Sequence, residues 1–173
     1  MSRHEGLPEF EAFYEKEWGS VVAFLHVLGA SRPDAEDVAQ DAFAHLYRCW
    51  HRVEKPTAWI RTTAARELGG RWRRAARERK AVDANPPPNE ADDGDACDSA
   101  STFTDERFLA AVAALSPQQR QVVAWRLAGF SNAETARELG MTPENASATW
   151  SRAMRRLTKA LKEFRRGNGG DDA

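Results

Sequence analysis

The stretch of residues 81–104 constrains the fold most, because a chain cannot build a packed core through it. It contains the run NPPPN at residues 85–89, six acidic residues and no basic residue. Such a composition buries too little apolar surface to offset the conformational entropy lost on folding. We therefore predict a flexible acidic linker here, with separate folded modules at residues 8–80 and 105–166 and a disordered tail at residues 167–173.

Apolar residues in both modules recur at the 3.6-residue period of amphipathic helices, and no segment alternates with the period of a β-strand. In the first module the pattern predicts a helix over Pro8–Leu28 that Gly29 ends, a second helix capped by Asp34, and a third begun by Pro56. The predicted fold class is all-α, with two small helical domains joined by the linker.

The segment SNAETARELGMTP, from Ser131 to Pro143, predicts a helix-turn-helix. Ser131 caps a short helix, Gly140 supplies the turn, and Thr142 with Pro143 begins a long second helix, which in this motif enters the major groove of DNA. The basic residues that follow would neutralise phosphates and make binding depend on salt. They are Arg152, Arg155, Arg156, Lys159 and Lys162.

Charge is segregated into blocks, although the formal net charge is only −1. Residues 61–80 carry eight basic and two acidic residues, and residues 145–166 carry seven basic and one acidic. Blocks of this kind indicate a polyanionic partner. Because Trp59 and Trp72 accompany the first block, we expect it to bind single-stranded or partly melted DNA, whose exposed bases stack on aromatic rings. The alternative for both rings is a place in the core, which the pattern favours for Trp59 and leaves open for Trp72.

Several function classes are excluded by what the sequence lacks. Cys49 and Cys97 stand alone, without a CxxC pair or a histidine at zinc spacing, which argues against a disulfide framework and a metal site. No charge-free stretch approaches the ~20 apolar residues of a membrane span, and the N-terminus lacks the apolar core of a signal peptide. The sequence contains no nucleophile paired with a base and no phosphate-cradling glycine loop, so nothing in it indicates an enzyme. We expect a cytoplasmic protein that is not an enzyme and needs no cofactor or metal.

Three segments, taken in order, resemble the bacterial extracytoplasmic-function sigma factors, the small two-domain promoter-specificity subunits of RNA polymerase. They are DAEDVAQDAF at residues 34–43, KPTAWIRTTA at 55–64 and LAAVAALSPQQRQVVAWRLAGFSNAETARELGMTPENASATWSRAMRRL at 109–157. The resemblance implies a sigma region 2-like first module and a region 4-like second module. It also implies a protein that binds core RNA polymerase, directs it to specific promoters and helps to melt the −10 element.

The resemblance names partners as well. Glu36, Asp37, Gln40, Asp41 and Phe43 match the family segment that docks on the clamp helices of the largest polymerase subunit. The flap of the second large subunit, promoter DNA and an anti-sigma factor are the other partners implied. Such a protein acts at the nucleoid and does not insert into a membrane, although an anti-sigma factor can hold it there.

Two further sets of residues match the DNA-contacting parts of the family. The set implied for the −10 element is Arg52, Lys55, Trp59, Arg61, Thr62, Arg66, Arg71, Trp72, Arg73 and Arg74. The set implied for the −35 element is Ser131, Pro143, Glu144, Asn145, Ser147, Ala148, Thr149, Ser151, Arg152, Arg155 and Arg156.

The sequence also departs from the family at positions that contribute to DNA recognition. Arg66 and Gly70 stand where the family usually has Asn and often has Asp, and Ser147 and Thr149 replace two basic residues of the reading helix. The usual −35 preference therefore does not transfer. Two other interpretations stay open: a stand-alone helix-turn-helix regulator, and a degenerate sigma factor that only binds polymerase or an anti-sigma factor.

Overall fold

The computed structural model describes residues 7–82 and 106–167, and every regular element within these ranges is helical, as predicted. The first range contains α1 (Leu7–Leu28), α2 (Arg32–Cys49), a 3-10 turn (Trp50–Arg52) and α3 (Pro56–Val82). The second contains α4 (Glu106–Ala113), α5 (Pro117–Leu127), α6 (Asn132–Leu139) and α7 (Pro143–Gly167). Helix α3 extends two residues into the predicted linker, and α7 extends one residue into the predicted tail. The rest of both segments lies outside the described residues.

The helix ends follow the sequence punctuation, with one correction at the start of α2. Ser31, and not Asp34, is the N-cap, and its hydroxyl accepts a hydrogen bond from the Asp34 backbone N–H. The prediction missed this cap because Pro33 was assigned to the preceding turn, whereas proline is favoured in a first helical turn. Asp34 instead lies within that turn, where a carboxylate interacts favourably with the helix dipole.

The first module is a bundle of α1, α2 and α3 around a fully buried core that includes Leu25, Val38, Leu46 and Ile60. At one end of the bundle, aromatic rings of α1 surround a single ring of α2. The rings of Tyr14 and Trp18, for example, lie 4.9 and 5.8 Å from that of Phe43. Aromatic pairs at these distances add about 0.5–1.5 kcal/mol each beyond the area they bury.

The second module packs directly against the first, through contacts between α1 and α5. The buried rings of Phe24 and Trp125 meet edge to face, with their centroids 5.2 Å apart. Near this contact the chain turns at Gly29, whose φ is +111°, and the guanidinium of Arg120 lies 2.7 Å from where a Cβ of that residue would be. The two modules therefore share one continuous hydrophobic core across the described ranges.

Within the second module, α6 and α7 form the predicted helix-turn-helix. Ser131 caps α6, Gly140 takes a left-handed conformation at its end with φ +64°, and the Thr142 hydroxyl accepts a hydrogen bond from the Asn145 N–H at the start of α7. The small side chains of Ala136 and Ala146 are buried and let these helices pack closely.

Candidate nucleic-acid interfaces

A surface cavity of about 580 Å³ opens between the 3-10 turn and the first half of α3, and we call it the α3 cavity. Five residues of the predicted −10 set line it: Arg52, Lys55, Trp59, Thr62 and Arg66. Trp59 is half-buried against the core and also faces the cavity, so both of its predicted roles are compatible with the structure. The cavity combines one aromatic wall with cations and hydroxyls, which suits an unstacked base and its phosphates.

Five other lining residues were not in the predicted set, namely Cys49, Val53, Glu54, Ala58 and Thr63. A signal for Thr63 was present in the sequence, because it lies four residues after Trp59 and three before Arg66, on the same helical face. Val53 and Glu54 carry no such periodic signal, since they lie in the connection between α2 and α3, and Cys49 is the last residue of α2.

Arg61 is a correction to the predicted −10 set. Its side chain is only 4% exposed and points into the bundle. There the guanidinium donates hydrogen bonds to the Glu17 carboxylate at 2.9 Å, the Ser20 hydroxyl at 2.7 Å and the Thr57 carbonyl at 3.0 Å. A buried charge held by these partners joins α1 to α3 and does not reach DNA in this conformation.

Beyond the α3 cavity, α3 extends past the core, and every side chain described from Trp72 to Arg79 is exposed. The Trp72 ring is 42% exposed, which favours the DNA-binding alternative over the core for this residue. The Arg73 guanidinium folds back over the helix, 3.3 Å from where a Cβ of Gly69 would be. Because Gly69 has no side chain, the helix backbone there is uncovered, and the Arg73 guanidinium lies over it.

The predicted polymerase-docking segment presents four exposed side chains on α2, Glu36, Asp37, Gln40 and Asp41, which we call the acidic α2 face. Its fifth residue is a correction, because the Phe43 ring is 2% exposed and sits within the aromatic cluster. Phe43 supports α2 from beneath and offers no surface to a partner here.

Two cations of the same module contact the acidic α2 face. Arg32 pairs with Glu36 one helical turn away, at 3.0 Å. Arg71, from the predicted −10 set, reaches across from α3 to the carboxylates of Asp41 at 2.7 Å and Asp37 at 3.7 Å. One guanidinium therefore connects the two surfaces that were predicted for different partners.

The helix-turn-helix presents a second cavity, of about 510 Å³, which we call the α7 cavity. Pro143, Glu144, Ser147, Ala148 and Ser151, all from the predicted −35 set, line it together with one residue that was not predicted, Asn132. The first two turns of α7 thus present hydroxyls and a carboxylate to the groove that this motif enters.

Thr149 is the third site residue to be corrected, since its side chain is 1% exposed on the inner face of α7. Its hydroxyl donates to the Asn145 side-chain oxygen at 3.4 Å and accepts from Arg152 at 3.3 Å. The residue that replaces a family cation therefore orients two neighbours, and its own side chain is buried in this conformation. Farther along α7, three cations and one carboxylate line a surface cavity of about 520 Å³ that is cationic on balance: Arg155, Lys159, Lys162 and Glu163.

Ser131, also in the predicted −35 set, forms a reciprocal cap with Glu134. Its backbone N–H donates to the Glu134 carboxylate at 2.8 Å and its hydroxyl at 2.7 Å, while the hydroxyl accepts from the Glu134 N–H. The hydrogen bond from the Ser131 backbone, followed by that from its hydroxyl, lowers the pKa of Glu134 below its ordinary value.

Helix α6 brings the second module next to the α3 cavity. The Thr62 hydroxyl donates to the Glu138 carboxylate at 3.3 Å. Lys55 is near enough to Glu134 to help lower its pKa, after the larger effect of the Ser131 hydrogen bonds. In this arrangement carboxylates of α6 lie beside two residues that line the α3 cavity.

Two negative findings apply to the described residues, 7–82 and 106–167. No helix in these ranges is both long and apolar enough to span a membrane. The same ranges contain no cluster of three histidine, cysteine or acidic side chains suited to a metal ion.

A helix-turn-helix module packed on a helical module with a cation-lined cavity is typical of a two-part nucleic-acid-binding protein. Residues 13–78 match the family model for sigma-70 region 2, and residues 105–157 match that for sigma-70 region 4. The chain belongs to the sigma-70 family, in agreement with its resemblance to extracytoplasmic-function sigma factors, and it directs transcription initiation.

The chain is similar to the RNA polymerase sigma-E factor of Streptomyces coelicolor, with 29% identity over 158 residues that cover 88% of this chain and 86% of that protein. Among solved structures it is similar to the sigma factor RpoE, in complex with the anti-sigma factor NepR, from Bartonella quintana. That match has a TM-score of 0.67 and 23% identity over 89% of this chain and 97% of RpoE. It is also similar to CnrH in complex with the cytosolic domain of CnrY, with a TM-score of 0.59 and 19% identity over 93% and 92% of the two chains. The two structural matches show the fold.

Proposed function

We propose that this sigma factor docks on core RNA polymerase through the acidic α2 face, captures one strand of the −10 element at the α3 cavity and grips the −35 duplex with α7. The observation that carries the proposal is the α3 cavity, where an indole, three cations and two threonine hydroxyls share one opening. Stacked duplex bases do not enter such a site, whereas an unpaired base does. Residues 8–80 and 105–166 have separate roles in this proposal.

The α7 cavity supports a duplex contact whose base preference differs from that of a cationic reading helix. Cations there would favour guanine, but Glu144 accepts a hydrogen bond from the cytosine amino group and Asn145 suits adenine. Affinity would come from the cationic cavity farther along the helix, through phosphate contacts. We therefore expect a −35 element without the guanine contacts that two basic residues would make.

Charge complementarity supports polymerase docking. The acidic α2 face is exposed and lies on a helix packed firmly against α1 and α3, so its carboxylates are presented on a rigid element. Such a surface fits a basic partner surface and steers its approach. The clamp helices of the largest polymerase subunit are the proposed partner, and the flap of the second large subunit is proposed for the second module.

We also propose an anti-sigma factor as a partner, at a groove of about 500 Å³ between α1, α4 and α5. Phe24, Val27, Phe108 and Leu127 contribute apolar walls to it, and the Leu127 side chain is 55% exposed. An apolar groove between helices suits an amphipathic helix. The similar solved structure of the sigma factor RpoE, in complex with the anti-sigma factor NepR, supports this occupant. The proposed site of action is the nucleoid, or the membrane when an anti-sigma factor holds the chain there.

Transcription with core polymerase tests the proposal. The reconstituted holoenzyme should select promoter DNA from a random pool, and the selected DNA should yield a run-off transcript only when the chain is present. Replacing Trp59 with alanine should weaken binding of a single-stranded −10 oligonucleotide to the holoenzyme by about 1–3 kcal/mol, the contribution of one stacked base. Absence of any promoter-dependent transcript would contradict the proposal.

Charge reversal on the acidic α2 face separates the alternatives. Asp37→Lys with Asp41→Lys should abolish core association if the chain is a sigma factor or a degenerate sigma factor, and should leave duplex binding by a stand-alone regulator unchanged. Glu9→Lys with Glu11→Lys, at two exposed acidic residues of α1, is the matched control for added positive charge. A transcript from the selected promoters then distinguishes the active sigma factor from the degenerate one.

A further inference from the structure

Arg71 lies between the two surfaces of the first module. Its guanidinium donates a 2.7 Å hydrogen bond to Asp41 and lies 3.7 Å from Asp37, so a single cation partly neutralises both carboxylates. It is contributed by α3, immediately before the exposed Trp72. No other residue among those described joins the acidic α2 face to the predicted −10 surface.

The contact is placed so that a partner can displace it. Arg71 is 29% exposed, whereas Asp37 and Asp41 are 69% and 59% exposed, and Arg71 uses only the Oδ2 atom of each carboxylate. A cation from a docking partner can therefore approach the second oxygen of each carboxylate before Arg71 leaves. Ion pairs exposed to this degree are weak, so exchange of one cation for another is readily reversible.

We propose that Arg71 couples polymerase docking to capture of the −10 strand. In the isolated chain, Asp37 and Asp41 hold Arg71 away from DNA. Cationic side chains of the docked polymerase replace it at the two carboxylates, and the released guanidinium turns toward the exposed segment of α3 and pairs with a strand phosphate. This inference rests on the proposed function, and it adds a regulatory role to a residue that was predicted only as a DNA contact.

Two substitutions that remove the same charge should differ in whether they release Arg71. Asp41→Asn releases Arg71 without polymerase, so it should tighten binding of the isolated chain to a single-stranded −10 oligonucleotide. Glu11→Gln, on the exposed side of α1, removes the same charge without releasing any arginine and serves as the control. We expect Asp41→Asn to exceed the control by about three-fold, as for one half-exposed ion pair.

A double-substitution cycle separates release of Arg71 from a general change in charge. In an Arg71→Ala background, Asp41→Asn should tighten oligonucleotide binding no more than Glu11→Gln does. If Asp41→Asn and the control are equal in the wild-type background, or if the excess persists without Arg71, the coupling is refuted. Far-ultraviolet circular dichroism shows that each variant is folded.

A second measurement requires no DNA. Arg71 competes with polymerase for the acidic α2 face, so Arg71→Ala should tighten association with core polymerase by about three-fold. Arg79→Ala, at an exposed arginine near the end of α3, should leave association unchanged. Unchanged or weaker association of Arg71→Ala overturns the inference. If the wild-type chain neither associates with core polymerase nor supports a promoter transcript, the proposed function itself has failed.

Discussion

The contact between Phe24 and Trp125 gives the most informative prediction, because it joins the two modules. Phe24 is 4% exposed, and replacing a buried phenylalanine with alanine generally lowers the free energy of unfolding by about 3–5 kcal/mol. The edge-to-face ring contact accounts for about 0.5–1.5 kcal/mol of that loss. We expect Phe24→Ala to lower the free energy of unfolding by about 4 kcal/mol and to separate the modules.

Two measurements are needed to test this result. Urea unfolding followed by circular dichroism gives the free energy, and small-angle scattering in native buffer gives the radius of gyration, which should increase when α1 no longer packs on α5. Leu46→Ala is the matched control, since Leu46 is fully buried on α2, which packs against α1 and α3. It should lower stability by a similar 2–5 kcal/mol and leave the compact dimensions unchanged. A Phe24→Ala chain with the wild-type radius and a stability loss below about 1 kcal/mol would refute the shared core.

Three further predictions follow from single contacts. Arg61→Ala should destabilise the first module by about 3–5 kcal/mol, because it leaves the half-buried Glu17 carboxylate without its cation; a thermal unfolding midpoint close to that of the wild type would contradict this. Because the pKa of Glu134 is lowered, its hydrogen bond to Ser131 stabilises α6 fully above pH 4.5 and is lost as the pH falls through the lowered value. The stability difference between wild type and Glu134→Gln, measured by thermal unfolding at a series of pH values, should therefore shrink below pH 4.5. Arg155→Ala should reduce the dependence of duplex affinity on salt by a slope of about 0.9, and an unchanged slope would exclude a phosphate contact.

The sequence predicted the helices of both modules because their ends are marked by local chemistry. Gly29 and Gly140 adopt the positive φ values expected after a helix, and Pro56 and Pro143 begin helices as expected. The missed cap at Ser31 lies two residues before a proline, where two starting points for the helix were equally consistent with the sequence. These features act over a few residues, so a single sequence contains them in full.

The three corrected site residues share a different cause. Phe43, Arg61 and Thr149 all lie on the buried faces of their helices, yet each was assigned to a contact surface by analogy of sequence position. Periodicity held a signal for all three: Phe43 lies three residues before buried Leu46, Arg61 three residues before buried Ala64, and Thr149 three residues after buried Ala146. Helical spacing therefore corrects a motif match when a polar residue falls on the apolar face.

The packing of the modules against each other had no local signal, because Phe24 and Trp125 are 101 positions apart in the sequence. The same holds for Thr62 and Glu138, which place α6 beside the α3 cavity. Contacts of this kind depend on how two complete surfaces fit. Neither surface is visible in the pattern of a single helix.

The packing of α1 on α5 holds the two modules together, and it therefore affects how the two proposed promoter contacts can be made at the same time. The −35 and −10 elements are centred about 25 base pairs apart, which is about 85 Å of B-form duplex at 3.4 Å per pair. Residues 83–105 connect α3 to α4, and 23 residues span at most about 80 Å when fully extended. The connection alone falls short of that span, so the modules themselves must contribute to it. Because Glu138 of α6 lies 3.3 Å from Thr62 at the α3 cavity, we expect that reaching both elements also requires α1 to separate from α5. In the proposed function, breaking the Phe24–Trp125 interface would therefore cost free energy during promoter binding. Polymerase would offset that cost by binding each module at its own site.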